Sequence, residues 1–321
     1  MTIRRPISER ITEELDRLAF EHHDRCVSCG YAFKEADTTH WGYNPSGEAM
    51  YVCDACAGEL EEVARRIYFM RRPYEVPSKS TALWRYMDFT KFVSLLSTKS
   101  LYFPSAASFQ DPFEGAKGLR KHKQGWDDHF LEFFRRAVRS VPVEIRPALS
   151  EDEIETEAQR LLKDLEVGGE LDRTRTFISC WHENEHESEA MWRLYSTSID
   201  YAIAIRTTYR RLYESLGRSP RINIGRVEYI DIQKDVVNVN DAFWRKRKAF
   251  EHEREVRAIL LRHENPQAGM LMACDIEILI ECIVLSPQAP AWFVALVKDV
   301  CAKYAQNFTV ERSALLEDPF F

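Results

Sequence analysis

Hydrophobic residues recur at every second position in some segments of this chain and at helical spacing in others. The alternation in Tyr201-Ala-Ile203-Ala-Ile205 is typical of a strand, and residues 174–181 have the apolar character of a buried strand. Further strands are predicted at 82–86, 100–103, 222–230 with a bulge at Gly225, 253–261, 270–275, 277–285 and 308–312. Because several strands cluster late with few helices between them, the pattern predicts a mixed α+β domain and not a doubly wound sheet.

Helical spacing of apolar residues predicts a second set of elements. The predicted helices cover residues 8–22, 58–70, 89–98, 125–141, 150–166, 189–195, 207–217, 243–248 and 291–304. Ser150 and Glu153 form a capping box at the start of one of them. The helices at 125–141 and 150–166 indicate a helical insertion, over about residues 120–170, between the first strands and the rest.

A polar, proline-punctuated segment at residues 71–80 separates two parts of the chain. We therefore expect a small N-terminal domain at residues 1–70, a linker at 71–80 and an α+β domain at 81–321.

Four cysteines in the N-terminal part have the spacing of a metal site. Cys26 and Cys29 form one C-x-x-C pair, and Cys53 and Cys56 form another. Two such pairs can place four thiolates around a tetrahedral zinc ion, and Gly30 supplies a small residue for the turn. The sequence predicts a structural zinc ribbon. Two alternatives, a redox role for the pairs and ligation by a histidine such as His40, lack comparable support.

Composition narrows the class of protein further. The chain has 321 residues, 45% of them hydrophobic, and a net charge of −7, which suits a globular protein with a sizeable core and argues against unspecific attraction to nucleic-acid backbones. It contains no run of about 18 apolar residues and no apolar segment of the signal-peptide type at the amino terminus. We expect a cytoplasmic protein that does not bind a membrane.

The segment Glu253-Arg254-Glu255-Val256-Arg257 carries the strongest candidate chemistry. In a strand, Glu253, Glu255 and Arg257 stand on one face, and the apolar run after them indicates that the strand enters the core. Two carboxylates at such a position are suited to acid–base catalysis or to stabilising a cation. The alternatives are a charged edge strand and an ion-pair cluster in which Arg257 neutralises the two acids.

Other catalytic motifs are absent or weak. The polar segment from His182 to Ser188 holds two histidines and three glutamates, which can indicate a metal or catalytic site, but a solvated loop explains it more simply. The sequence has no G-x-G-x-x-G, G-x-x-x-x-G-K or G-x-S-x-G motif, which argues against Rossmann-type dinucleotide folds, P-loop enzymes and α/β hydrolases.

Several short motifs together resemble the bacterial domain-of-unknown-function family 2971 over about residues 82–290. They are Leu83-x-Arg85-Tyr86, Phe109-x-Asp111-Pro-Phe-Glu114, Phe177-Ile-Ser179, Met191-Trp192-x-x-Tyr195 and Glu253-x-Glu255-x-Arg257. Gln110 stands where the family usually has asparagine. The cysteine region lies outside this resemblance.

The same order of arginine, serine and Glu-x-Glu also resembles the arginine-serine-glutamate class of ADP-ribosyltransferases. This resemblance implies a split mixed sheet that binds NAD without a phosphate loop. It implies that Arg85 and Ser179 hold NAD, that Glu255 binds the ribose and stabilises the cation formed as nicotinamide leaves, and that Glu253 activates the acceptor. Tyr86, Trp192 and Tyr195 are candidates to stack on nicotinamide. The strand reads Phe-Ile-Ser-Cys-Trp where that class has Ser-Thr-Ser.

We therefore expect an NAD-dependent ADP-ribosyltransferase, or an NAD glycohydrolase, whose zinc ribbon helps to select a macromolecular acceptor, either nucleic acid or protein. The alternatives are a non-catalytic zinc-ribbon binding module with the sheet domain as scaffold, and a metal-dependent nuclease. Toxicity and phage defence are common settings for small bacterial enzymes of this kind.

Overall fold

The computed structural model describes residues 3–6, 26, 31–34, 37–43, 49–53, 74–141, 148–217, 219, 222–235, 237, 239–261, 268–317 and 320. These ranges mix helices with strands and include a mixed β-sheet, which confirms the predicted α+β class. Within them, no helix is long and apolar enough to cross a membrane.

Strands occur along the whole described chain. They are β1 (Ile3–Pro6), β2 (Thr38–Tyr43), β3 (Ala49–Cys53), β4 (Ala82–Asp88), β5 (Ser100–Pro104), β6 (Thr176–Glu183), β7 (Ala202–Thr208), β8 (Ile222–Arg226), β9 (Glu228–Ile230), β10 (Arg245–Arg247), β11 (Glu255–Leu261), β12 (Gly269–Ala273), β13 (Cys282–Leu285) and β14 (Val310–Arg312). Among the described residues, seven strands form the main sheet in the order β14-β13-β7-β4-β6-β11-β8. Neighbours are antiparallel, except that β13 and β14 are parallel.

The described α-helices flank this sheet. They are α1 (Phe89–Thr98), α2 (Lys123–Arg139), α3 (Glu151–Arg175), α4 (Glu189–Leu194), α5 (Tyr209–Ser215), α6 (Ile276–Leu279) and α7 (Ala291–Lys303). Helices α2 and α3 pair antiparallel between β5 and β6, where Arg135 bonds Glu155 and Arg139 bonds Glu151. Ser150 and Glu153 form the predicted capping box.

The main sheet splits between its two central strands. β4 and β6 form only two residue pairs, Leu83 with Glu183 and Trp84 with His182. Beyond Trp84, β4 continues beside β7, while the rest of β6 lies beside β11. The two-stranded ribbon of β5 and β12 approaches the far end of β6, where Ser105 bridges Phe177.

Side-chain alternation gives the main sheet two distinct faces near this split. The register places Leu83, Arg85, Ser179, Trp181 and Val256 on one face, which we name face A, and Trp84, Tyr86, Cys180, His182, Glu255 and Arg257 on the other, face B. Face A packs on the larger core, which includes residues of α1, α5, α6 and α7. Face B is covered by α4 and by the segment around Trp244.

Several predicted elements differ from the structure. Helix α3 continues past residue 166 to Arg175, and the strand predicted from 174 begins at Thr176. The first residues of the strand predicted at 277–285 instead form a helical turn, α6, because Asp275 caps the amides of Glu277 and Ile278, and β13 begins only at Cys282. The basic segment at 243–248 is not one helix, since β10 interrupts it.

The predicted bulge at Gly225 is wrong. Gly225 pairs in regular register with Arg257. A Cβ atom there would lie 2.1 Å from a ring carbon of Tyr74, whose ring stacks on Trp244. The glycine therefore permits a close approach of Tyr74 to the sheet.

In the N-terminal part, β1, β2 and β3 form an antiparallel sheet. The helices predicted at 8–22 and 58–70 lie outside the described residues, as do residues 71–73 of the predicted linker.

Candidate functional site

The acidic segment reaches face B by a turn and a strand. β11 begins at Glu255, so Glu255 and Arg257 share face B as predicted. Glu253 is not part of the strand, which corrects the prediction. It ends a 3₁₀ helix, Lys248–Glu253, and Arg254 follows it with a left-handed φ of 40°. This sharp turn brings the carboxyl group of Glu253 back toward Glu255.

Five buried charged residues form a continuous chain of ion pairs, which we name the ionic cluster; they are Glu114, Arg257, Glu255, Lys246 and Glu253. Arg257 is fully buried and holds Glu114 with two bonds, from Nη1 to Oε1 at 2.6 Å and from Nη2 to Oε2 at 2.9 Å. Its Nε donates to Glu255 Oε2 at 2.7 Å. Lys246 Nζ lies 3.2 Å from Glu255 Oε1 and also bonds Glu253.

The pKa values of the two neighbouring carboxyl groups move apart. Burial opposes ionisation of Glu255, but the charges of Arg257 and Lys246 outweigh it and lower its pKa to about 2. Burial and the negative charge of Glu255 raise the pKa of Glu253, although Lys246 opposes the rise. Glu255 is thus a fixed anion, and Glu253 is the carboxyl group better suited to exchange a proton.

Two members of the ionic cluster were missed in the sequence. Glu114 ends the Phe109-x-Asp111-Pro-Phe-Glu114 motif, to which the resemblance assigned no role in a site. Asp111 in the same turn accepts a bond from Arg247 at 2.7 Å, and Arg247 stacks on Phe113. Lys246 lies on β10, in the segment predicted as a basic helix. The Asp111-Pro112 turn was the only sequence signal near Glu114, and it gave no indication that Arg257 is the partner of Glu114.

Arg85 and Ser179 contact each other but do not contact Glu253 or Glu255. Arg85 Nη1 donates to Ser179 Oγ at 2.8 Å across the split, and Nη2 donates to the carbonyl oxygen of Tyr102 at 3.1 Å. Trp181 Nε1 also donates to Ser179 Oγ, at 3.1 Å. All of these contacts lie on face A, whereas Glu255 lies on face B. The arginine-serine pair therefore closes the split, and its predicted contact with NAD remains a prediction.

Of the three predicted aromatic residues, Tyr195 lies close to Glu253 and Glu255. Tyr86 on face B packs edge-on against Trp192, with ring centroids 4.9 Å apart. Tyr195, which is 37% exposed, ends the segment that begins with α4. Burial of its hydroxyl group and the charges of Glu255 and Glu253 raise its pKa. Tyr86 and Trp192 are buried, and Tyr195 is the one of the three that solvent reaches.

His182 corrects the prediction of a solvated loop for residues 182–188. It is the next-to-last residue of β6, only 4% exposed, and pairs with Trp84 on one side and Glu255 on the other. The run of polar letters concealed the strand, although Ile178, Cys180 and His182 continue its alternation. His186 is exposed, and the described residues contain no group of three side chains that could hold a metal ion.

No family model matches the chain, and no curated protein matches it. Among solved structures, it is similar to Thermus sp. 2.9 DarT in complex with NAD+, with 6% identity and a TM-score of 0.33, over 73% of this chain and 96% of that one. The same DarT in complex with ADP-ribosylated ssDNA gives 9% identity and a TM-score of 0.33, over 74% and 97% of the two chains.

The structure describes two of the four predicted zinc ligands, Cys26 and Cys53. Cys26 and Cys53 are buried, and the amide of Cys26 donates to the carbonyl oxygen of Tyr31 at 2.8 Å. Cys29 and Cys56 lie outside the described residues, so the four-cysteine site remains a prediction.

Proposed function

We propose that this protein cleaves the bond between nicotinamide and ribose in NAD and transfers ADP-ribose to a nucleic acid, a protein or water. The observation that carries the proposal is the contact between Glu255 on face B and Glu253 from the 3₁₀ helix before β11. The two carboxyl groups are adjacent, their pKa values are displaced in opposite directions, and the partly exposed Tyr195 lies close to them.

The ionic cluster is suited to a cation-forming reaction. When all five groups are ionised, three carboxylates face two cations, so the cluster carries one net negative charge. When the bond to nicotinamide breaks, its electron pair leaves with nicotinamide and positive charge develops on the ribose. A preorganised anion stabilises that charge at little reorganisation cost. Glu255 supplies this anion in the proposal.

Glu253 and the aromatic residues take the remaining roles. The acceptor forms a bond to the ribose carbon and loses a proton, which the carboxylate of Glu253 takes up. A raised pKa brings a carboxyl group closer to the working pH for such a transfer. Tyr86, Trp192 and Tyr195 are the candidate surfaces for the nicotinamide ring. Arg85 and Ser179 support the site by holding β4 and β6 together.

Release of nicotinamide from NAD by purified protein tests the proposal. We expect Glu253→Gln to lower kcat by about 10²- to 10⁴-fold with folding intact, because a positioned proton-transfer group contributes about that much. Glu251→Gln is the matched control, since Glu251 lies on the same 3₁₀ helix and is exposed. If the wild-type protein releases no nicotinamide and NAD does not raise its melting temperature, the proposal fails.

A second function is favoured by one observation. Both carboxyl oxygens of Glu255 are already bonded, one by Arg257 and the other by Lys246. This is the arrangement expected of a structural cluster in a non-catalytic module, where the predicted zinc ribbon would bind a protein or nucleic acid. Loss of stability in Glu255→Gln, together with no NAD cleavage by the wild type, would favour this alternative.

A further inference from the structure

The backbone between the two acids turns sharply at Arg254 and is held there by hydrogen bonds. Arg254 adopts a left-handed φ of 40°, which is unfavourable for a residue that carries a Cβ atom. Its amide donates to the carbonyl oxygen of Glu251 at 3.2 Å, and its carbonyl oxygen accepts from the amide of Glu183 at 2.9 Å. A strained conformation of this kind persists only when the surrounding contacts impose it.

Two side chains hold the residues on either side of Arg254. His182 Nδ1 lies 2.6 Å from the carbonyl oxygen of Glu253 and is the donor, because a carbonyl oxygen only accepts hydrogen bonds. The hydroxyl oxygen of Tyr229 accepts from the amide of Glu255 at 2.8 Å. The acidic segment is therefore fixed to β6 by one side chain and to β9 by the other.

Tyr229 reaches the acids from a separate element of the fold. It pairs in register with Lys246, so both side chains point to the same side of the ribbon of β9 and β10. Lys246 bonds both Glu253 and Glu255. Burial, and then the charges of these two acids, raise the pKa of Tyr229. Its hydroxyl group therefore stays protonated and neutral while it accepts the bond from the amide.

We propose that Tyr229 is a positioning residue of the acid pair: by holding the amide of Glu255, its hydroxyl group fixes the turn at Arg254 that sets the carboxyl group of Glu253 against that of Glu255. The proposal rests on the proposed function, because it adds a residue to the site that would cleave NAD. Tyr229 acts through the backbone of Glu255 and not on the substrate. Tyr229→Phe isolates this contact, since it keeps the ring and removes only the acceptor.

The titration of Glu253 reports the position of its carboxyl group in the absence of any activity. The groups that face this residue are Glu255 on β11, Lys246 on β10, Tyr229 on β9, His182 on β6 and Tyr195 after α4. Burial and the charge of Glu255 raise the pKa of Glu253, and Lys246 opposes the rise. A looser turn exposes the carboxyl group to water and moves it away from Glu255, and both changes lower its pKa.

Carbon NMR of the glutamate carboxyl groups follows this titration in the full-length protein, with Glu253→Gln to assign the signal. We expect Glu253 to titrate at a lower pH in Tyr229→Phe than in the wild type. Tyr304→Phe is the matched control, because it removes a hydroxyl group at the partly exposed end of α7, and it should leave the titration unchanged. An unchanged titration in folded Tyr229→Phe protein would overturn the proposal.

A cycle of single and double substitutions with Arg254→Gly tests whether the hydroxyl group acts through the turn. Glycine adopts a left-handed φ without strain, so the turn depends less on the hydroxyl group in that background. We expect Tyr229→Phe to shift the titration of Glu253 less in Arg254→Gly protein than in the wild type. Equal shifts in the two backgrounds would show that the hydroxyl group does not act through the turn and would overturn the proposal.

Kinetics give a second readout and separate this proposal from NAD cleavage. We expect kcat for nicotinamide release to fall about 10- to 100-fold in Tyr229→Phe with little change in KM, because a small displacement of a catalytic group costs about that much. A lowered titration of Glu253 in Tyr229→Phe, with no nicotinamide release by the wild type, would overturn NAD cleavage and support positioning. Nicotinamide release with the same kcat in both proteins would support cleavage and overturn the role of Tyr229.

Discussion

Arg257 is fully buried, and so are the two carboxylates that hold it. Taking charges out of water is costly, and removing one partner leaves the others buried without compensation. We predict that Arg257→Met lowers the free energy of unfolding by about 3–5 kcal/mol, because Glu114 loses both bonds and Glu255 loses one. Urea denaturation measures this. Lys248→Met, at an exposed position, is the control, with a change of less than about 0.5 kcal/mol.

A second substitution separates the lost ion pair from lost packing. Adding Glu114→Gln to Arg257→Met removes one unpaired buried charge and should recover part of the stability. A double variant as unstable as the sum of the two single variants would contradict this account.

Glu255 gives stability a defined pH dependence. Its folded-state pKa of about 2 lies below the ordinary 4.5, so its contribution is complete above pH 4.5 and is lost as pH falls toward 2. Each pH unit between the two values is worth about 1.4 kcal/mol. We predict that wild type loses about 3 kcal/mol more than Glu255→Gln between pH 5 and pH 2. Parallel stability curves for the two proteins in urea denaturation would exclude this role.

At the scale of single residues, the sequence indicated only those members of the site that are close to one another in the chain. Glu253, Glu255 and Arg257 are neighbours in the chain, and strand alternation was enough to group two of them. Glu114 is 143 residues from Arg257, and its long-range ion pair has no local signature. His182 was misassigned because its face of β6 becomes buried only through pairing with β4 and β11.

At the scale of elements, side chains must help to hold β4 and β6 together across the split, because only two backbone pairs join these strands. Ser179 Oγ accepts from both Arg85 and Trp181. We predict that Ser179→Ala lowers the free energy of unfolding by about 2–4 kcal/mol, since the buried Nε1 of Trp181 and the partly buried guanidinium of Arg85 lose their acceptor. Ser97→Ala, on the exposed side of α1, is the control and should change little.

The same variant tests whether Ser179 contacts NAD. From its position on face A, we expect the KM for NAD of folded Ser179→Ala protein to change little. A large rise in KM with unchanged stability would instead support the NAD contact that the resemblance implies.

The strand pattern identified β4, β6, β7 and β11, but strand order and faces depend on pairings that alternation alone does not specify.

Across the whole molecule, the α+β class followed from the order of strands and helices, whereas the division into a ribbon and a catalytic domain remains a prediction. The ribbon rests on the spacing of Cys26, Cys29, Cys53 and Cys56, with Cys26 and Cys53 buried. Structural zinc sites of this kind take one ion and depend on it for folding. If the ribbon selects the acceptor, its metal should matter for transfer but not for cleavage.

We therefore predict about one zinc ion per freshly purified chain by elemental analysis, and its loss in Cys53→Ser. Cys301→Ala is the matched control: burial raises the pKa of that thiol to about 11, which leaves it protonated and unsuited to bind metal. Nicotinamide release into water should persist in Cys53→Ser, because Glu253 and Glu255 lie in the other part of the chain, while ADP-ribose transfer to a macromolecule should fall. Absence of zinc in wild-type protein would reject the ribbon, and equal loss of both activities would contradict a role confined to acceptor choice.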